Sequence, residues 1–368
     1  MTHPDVLLLG GGIIGLACAR ELALRGLRVE IVERLPAGAE ASLASAGMLA
    51  PLSDTQAAGP FLDACRASRD LWGPWVAALE SETGLGVDYD TSGGLLVALD
   101  EDDEAELDRV AAMAREVGEP VADVDLTTVR RWVPDLTPEV RRALHLPGEH
   151  RVDNVQLCAV LAQVVQKLGV VLHYDSEAVR VEHRPEGTVL VSGNHWRKEA
   201  RLLVLAAGAW SGRVPGLPPL PVRPVRGQIV LLGGVEWPWS GSLRRGSSYA
   251  VRRGSTGLLV GSTLEEAGFA KHNTVEGVES LLAFARRLLP AVRTARFETM
   301  WSGLRPGTAD DLPIIGSLPG WPAIAATGHY RNGILLAPWT AREVARLALT
   351  GGEADIPAFS PRRFLNRS

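Results

Sequence analysis

Cysteine is scarce in this chain of 368 residues, with three in all: Cys18, Cys65 and Cys158. An odd, widely scattered set supports neither a disulfide framework nor a CxxC metal clamp, and it fits a reducing, cytoplasmic setting. Histidine occurs eight times, without HExxH or other ligand spacing, so no metal site is expected. There is no GxSxG elbow and no GKS or GKT phosphate loop, which removes the hydrolase and nucleotidase classes. Lysine is limited to Lys167, Lys198 and Lys271, and arginine carries the rest of the positive charge, a bias to which no function attaches. Long hydrophobic runs are missing too. The one near the start, Val6 to Ala19, is short, broken by glycines and lacks a basic flank, so it reads as neither a membrane span nor an export signal.

The composition that remains is that of a folded chain: 46% hydrophobic, 22% charged, 39 glycines and 24 prolines, without repeats or low-complexity segments. Its length suits two domains. The balance of 38 basic against 43 acidic residues, a net charge of −5, gives no pull toward nucleic acid or an anionic membrane.

The first chemistry lies at the N-terminus. Asp5 to Leu9 reads as a buried parallel strand, Ile13 to Arg25 as a helix closed by Gly26, and Arg28 to Val32 as a second strand ending at Glu33. Between strand and helix, Gly10, Gly12 and Gly15 have the GxGxxG spacing, with Ile14 inside it. One glycine makes the tight turn, one admits a pyrophosphate to the backbone, and one lets helix and strand pack closely. Glu33 can accept hydrogen bonds from both ribose hydroxyls, and its charge would repel a 2′-phosphate despite Arg34 beside it. A dinucleotide is therefore expected, NAD(P) or FAD.

Further along, ASLASAGM at Ala41 to Met48 is small and uncharged, suited to lying against a planar ring or to serving as a linker. A helix is expected over Phe61 to Glu80, and short strands over Val87 to Tyr89 and Gly94 to Leu99. The acidic run Asp100 to Glu104 reads as the start of a helix toward Val117, not as a metal site. Another helix follows at Asn154 to Leu168, then strands near Val170 to Tyr174 and Val179 to His183, a hairpin about Pro185 to Gly187, and a strand at Leu202 to Ala206. VPGLPPLPVRP, Val214 to Pro224, marks a stiff crossing between domains. Strands are expected at Gly227 to Leu232, Ser247 to Arg252 and Gly257 to Ser262, then a helix at Val275 to Leu289. Arg305 sits between an apolar strand and a proline turn, and Arg331 just before a helix whose start carries Gly333. Unaided, Arg305 reads either as a carboxylate ligand or as a salt-bridge partner of Asp310 or Asp311, and Tyr249 and Met48 read as packing.

Six segments taken together, GGGIIG, SAGMLAP, VLAAGAWS, VRPVRGQ, GLRPGT and GHYRNGILLAP, resemble the glycine oxidases of thiamine biosynthesis, in the D-amino acid oxidase superfamily of FAD enzymes. The resemblance runs in order from end to end and favours FAD over NAD. It implies that Gly10, Gly12, Ile14, Gly15, Glu33 and Arg34 hold the ADP half, with Val179 facing the adenine through its backbone. Ser45, Ala46, Gly47 and Met48 would run along the flavin; Ala207, Gly208 and Trp210 would sit by the pyrophosphate; Asn332, Gly333, Ile334 and Leu335 would meet the pyrimidine edge. Arg305 and Tyr249 would bind the substrate carboxylate, with Arg331 in the same pocket. Gly303 stands about where related sarcosine oxidases carry a flavin-linking cysteine, so the FAD is expected to be non-covalent.

The fold implied is an α/β, Rossmann-like, doubly wound FAD domain made of residues 1–84, 146–218 and 300–368. A mainly antiparallel α+β substrate domain, 85–145 and 219–299, is inserted in it. The activity implied is oxidation of glycine, or of sarcosine and small D-amino acids, to an α-keto acid, ammonia and hydrogen peroxide, with oxygen as acceptor and a homo-oligomeric assembly. The alternatives are a dehydrogenase passing electrons to a quinone and a non-enzymatic flavin-binding subunit.

Overall fold

The structure is a computed structural model that describes residues 3–351 and 356–364; the outermost residues of the first expected stretch, and parts of the last, lie outside it. Two large sheets organise it. The first has six strands in the order Ile314–Ser317, Ala323–Thr327, Leu202–Leu205, Val6–Leu9, Val29–Val32 and Val171–His173. All its neighbours are parallel except the Ile314–Ser317/Ala323–Thr327 hairpin. Strands buried on both faces must be apolar at every position, which is why VLLL and LLVL carry no alternation. Leu8, Ile31, Val204 and Ile324 face a helical layer, whereas Leu7, Leu9, Leu203 and Leu205 face a three-stranded antiparallel sheet, Arg180–His183, Val189–Ser192 and Arg197–Ala200. The helical layer is Ile13–Leu24, Pro60–Thr83, Asn154–Lys167 and Ala337–Thr350.

Local chemistry sets the helix ends. Pro60 occupies the first turn of Pro60–Thr83 and Gly84, at φ 76°, closes it. Asp100 caps Glu101–Glu116 by accepting from the Asp103 amide at 3.0 Å, so the acidic run opens a helix, as its pattern predicts.

The second sheet has eight strands: Arg296–Gly307, Arg223–Gly233, Gly257–Gly261, Ser248–Arg253, Ser242–Arg245, Gly94–Ala98, Arg142–Leu146 and Ala122–Asp123. It is antiparallel apart from the Ser242–Arg245/Gly94–Ala98 pair. The proline-rich crossing leads from the first sheet into Arg223–Gly233. Strand alternation then sorts the residues. Val230, Leu232, Ala250, Leu258 and Val260 pack with Leu281, Ala285 and Leu288 of the helix Val275–Leu288. Ile229, Tyr249, Val251 and Leu259 face the other way, toward Ala46, Met48 and Trp301. The sheet therefore turns one face to its own helix and the other to the small-residue loop of the first layer.

The turn that starts at Asn332 is tied to the helical layer through one carbonyl. Leu335 O accepts from Ser68 Oγ at 2.6 Å and from Trp72 Nε1 at 3.0 Å, and all three residues are fully buried. Trp72→Phe keeps most of the ring and removes the N–H; because Ser68 still serves the carbonyl, a loss of about 1 kcal/mol in unfolding free energy is expected, read as a lower denaturant midpoint.

Candidate active site

The fingerprint turn is built so that only glycine fits. A Cβ on Gly15 would stand 1.9 Å from the Gly10 carbonyl oxygen, and one on Gly10, at φ 108°, would stand 2.4 Å from that of Ala206. Gly12 is the N-cap of Ile13–Leu24, which leaves first-turn amides at the end where a helix favours anions. Glu33 closes the turn: one carboxylate oxygen accepts from the Gly11 amide at 2.6 Å and the other from Leu35 at 2.9 Å. Gly10, Gly12, Glu33, Arg34, Ala207, Gly208 and Trp210 line one cavity, and the Arg34 guanidinium stacks 3.8 Å over the Trp210 ring.

A second cavity shares Ala41, Ser42, Ala206 and Gly208 with the first and continues past Ile14, Ser45, Ala46, Gly47, Met48, Gly333 and Ile334 to Tyr249 and Arg305. Its floor must be thin. A Cβ on Gly303 would stand 2.4 Å from Ala44 Cβ, and one on Gly47, at φ 74°, would stand 1.8 Å from the Val152 carbonyl oxygen. Ser42 Oγ accepts from the Ile13 amide at 3.0 Å, and Asn154 Nδ2 donates to the Ser42 carbonyl at 2.7 Å, which pins the loop across the helix start. A glycine-only turn with an acid at one end and a flat, small-residue slot at the other suits the two halves of FAD. The residues present fit that group.

Two placements differ from the sequence reading. Val179 does not line the cavity; it is 45% exposed, and its amide donates to the Ser192 carbonyl at 2.8 Å just before the strand Arg180–His183, while Glu177 and Ala178 take the lining positions. The helix expected from Gly333 begins at Ala337. Before it, the Leu336 amide bonds back to the Asn332 carbonyl at 2.9 Å, so Asn332 to Leu336 form a turn whose first amides precede the helical series. Gly333 and Ile334 line the cavity, whereas Leu335 is buried behind them and Asn332 faces an adjoining cavity.

The far end is defined by charge. Arg305 Nη2 donates to Ser262 Oγ at 2.7 Å and Nη1 to the Thr263 carbonyl at 3.2 Å, both neutral acceptors. The acids that could have claimed it are engaged elsewhere: Asp310 pairs with Arg363 at 2.8 Å, and Asp311 lies 3.7 Å from Arg223. Burial pushes the Arg305 pKa down, yet a guanidinium stays charged in any working range. The site therefore presents a partly desolvated cation without a carboxylate.

Arg331 lines the same cavity but is committed. It bonds Asp54 at 2.8 Å, and Arg244 bonds the same carboxylate at 2.7 Å. Burial opposes ionisation of Asp54, but the two guanidiniums more than offset it and bring its pKa down to about 2. Asp54, Ser262 and Thr263 were missed in the sequence because no periodicity or spacing marks a long-range ion pair or a hydroxyl at a strand end. Tyr330 lay inside a quoted motif without a role. It lines the cavity at φ 49°, a backbone state uncommon outside glycine.

Two outcomes test this geometry. Gly15→Ala forces helix and strand apart, and the purified variant is expected to show a flavin-to-protein absorbance ratio at a small fraction of the parent's. His329 is buried, hydrogen-bonded through Nε2 to Thr340 at 3.0 Å, and held neutral by burial, which lowers its pKa from 6.5 to about 3. Stability from burying the neutral ring is complete above about pH 6.5 and is lost as pH falls toward 3, because the unfolded chain takes up the proton first. His329→Gln should flatten that acid limb in thermal melts across the range.

The family model described as FAD dependent oxidoreductase matches residues 5–347. The bifunctional protein ThiO/ThiG of Synechocystis sp. is 38% identical, covering 99% of this chain and 54% of its own length. The glycine oxidase of Pseudomonas aeruginosa is 36% identical over 95% of this chain and 96% of its own. The crystal structure of glycine oxidase from Geobacillus kaustophilus superposes with a TM-score of 0.93 at 32% identity, covering 100% of both chains. This chain thus spans about half the length of the bifunctional relatives and nearly all of the glycine oxidases. The chain belongs to the family of FAD-dependent oxidoreductases.

Proposed function

We propose that this protein is an amino acid oxidase that takes glycine first, with sarcosine and small D-amino acids as further substrates. Glycine, oxygen and water would give glyoxylate, ammonia and hydrogen peroxide. The observation that carries the reading is Arg305, a partly buried guanidinium that lines the end of the flavin-sized slot and bonds only neutral acceptors. The glycine oxidases that match nearly the full length of the chain support the substrate class.

Bound FAD supplies the chemistry of accepting a hydride from carbon and passing the electron pair to oxygen. The side chains supply position. Arg305 offers a planar fork to the substrate carboxylate, a charge-assisted contact worth about 1.5 to 3 kcal/mol. Tyr249, 4% exposed and lining the same cavity, orients the acid from the side. Arg331 lines the same pocket with its guanidinium paired to Asp54. With the amine arriving neutral, no general base is required, and His329 is engaged with Thr340. Orientation of the C–H bond carries the step.

The FAD-binding role is assigned to 1–84, 146–218 and 300–368, and substrate binding to 85–145 and 219–299. The strand Arg296–Gly307 crosses that division and carries Arg305 at the seam. A cytoplasmic setting is supported by three free, buried cysteines, and among the described residues no helix is long and apolar enough to cross a membrane. A homo-oligomer is supported by Phe297 and Met300, exposed on the outermost strand of the large sheet.

A panel of small amines and amino acids scored by peroxide release tests the activity. Glycine is expected to release peroxide with matching oxygen uptake; dye reduction without oxygen uptake would point to a different acceptor. Arg305→Ala should raise KM for glycine by roughly 10- to 100-fold with FAD content unchanged. An unaltered KM would remove Arg305 from the role.

A further inference from the structure

The register of the large sheet explains how Arg305 reaches the substrate site. Trp301, Ile229, Gly261 and Tyr249 lie directly across four adjacent strands, and therefore on one face. Two residues further along, Gly303 faces Gly227; two further again, Arg305 faces Val225. Arg305 is thus four residues away from the row that holds Tyr249, yet its guanidinium bonds Ser262 and Thr263, which directly follow Gly261. To do so the side chain must lean back along the sheet. The path lies over Gly227: a Cβ there would stand 2.2 Å from both Nη1 and Nη2 of Arg305 and 2.4 Å from Cζ.

Glycine inside a strand weakens it and marks a bulge or a close approach. The pairing of Arg223–Gly233 with Arg296–Gly307 is regular through Gly227, its one shift falling between Leu231 and Leu232. Gly227 is also absent from the positive-φ glycines among the described residues, so its backbone state is open to any residue. Space, not conformation, is what this position requires. The guanidinium occupies it.

We propose that Gly227 is a positioning residue for substrate binding: its missing side chain lets the Arg305 guanidinium lie flat on the sheet, aimed at the carboxylate of a small acid. The proposal rests on the reading of Arg305 as the carboxylate anchor. A methyl group at 227 would push the guanidinium by roughly 1 Å to recover an ordinary contact near 3.5 Å, which breaks its bonds to Ser262 and Thr263.

The test uses the FAD-loaded enzyme and acetate, which is glycine without its amine, titrated by the change in flavin absorbance. Gly227→Ala is expected to raise Kd for acetate and KM for glycine by roughly 10- to 100-fold, with kcat changed by less than about threefold and FAD content unchanged. In an Arg305→Ala background the same substitution should add nothing, since the two residues act as a unit. Parent-like acetate binding by Gly227→Ala, or a full additional loss in that background, overturns the proposal. If Arg305→Ala itself leaves acetate binding intact, the carboxylate reading falls and the glycine's role with it; if Arg305→Ala weakens it and Gly227→Ala does not, only the glycine's role falls. Should Gly227→Ala alone fail to fold, the double variant Gly227→Ala, Arg305→Ala decides: recovery of folding and FAD locates the clash at Arg305, and continued failure assigns the glycine to the sheet.

Discussion

A guanidinium without a carboxylate is the constraint around which the rest of this structure is arranged. Arg305 is partly withdrawn from water, and its two bonds go to a hydroxyl and a backbone carbonyl. Uncompensated buried charge is costly, typically about 3 to 5 kcal/mol when one partner of a buried pair is missing. Asp310 and Asp311 are drawn to Arg363 and Arg223, and Asp54, which favours the Arg305 charge through space, gives its hydrogen bonds to Arg244 and Arg331. In the proposed function the substrate carboxylate is the counter-ion, so that part of the cost carried by the free protein would return as binding selectivity for an anion.

Holding that cation at the right spot requires both sheets. The six-stranded layer presents the fingerprint turn and, through Ala41 to Met48, a flat slot; the eight-stranded layer presents Tyr249 and Arg305 on the face opposite its own helix. The two layers meet through absences of side chain. Gly303 admits Ala44, so the floor beside it stays low. The face of the sheet is thus sculpted by which Cβ atoms are missing, and each missing one has an identified neighbour.

Local order was legible in the sequence because it is local. The strand, helix and strand around GxGxxG, the capped helix at Asp100 and the proline crossing each follow from neighbouring residues, and their limits fall within a few positions of the expected ones. Arg197–Ala200 was not legible: RKEA has no apolar alternation, and it is a strand only because Val189–Ser192 pairs with it. Nor was it legible that the Val179 amide, expected near the adenine, donates to the Ser192 carbonyl beside the strand that begins at Arg180. Arg305 could be named but not chosen between ligand and salt bridge, because that choice depends on where Arg363 and Arg223 lie. The motif VRGQ likewise pointed to position 227 without revealing what a glycine is for there.

Asp54 shows how far the site extends beyond the residues that touch substrate. With its pKa near 2 it is ionised at neutral pH, so Arg331 is paired with an acid while Arg305 bonds neutral acceptors, though both line one cavity. A second free cation at this distance would favour acids with two carboxylates over glycine, by the same Coulombic argument that makes Arg305 favour one. Removing the Asp54 charge would also strand Arg244, whose side chain is only 2% exposed. Asp54 pairs with two guanidiniums at once: together with Glu149, whose carboxyl also acts on Arg244, it makes a fully buried arginine tolerable, and among the arginines lining the pocket it leaves Arg305 bonded to no acid. In the proposed function, one guanidinium bonded only to neutral acceptors matches a substrate with one carboxylate.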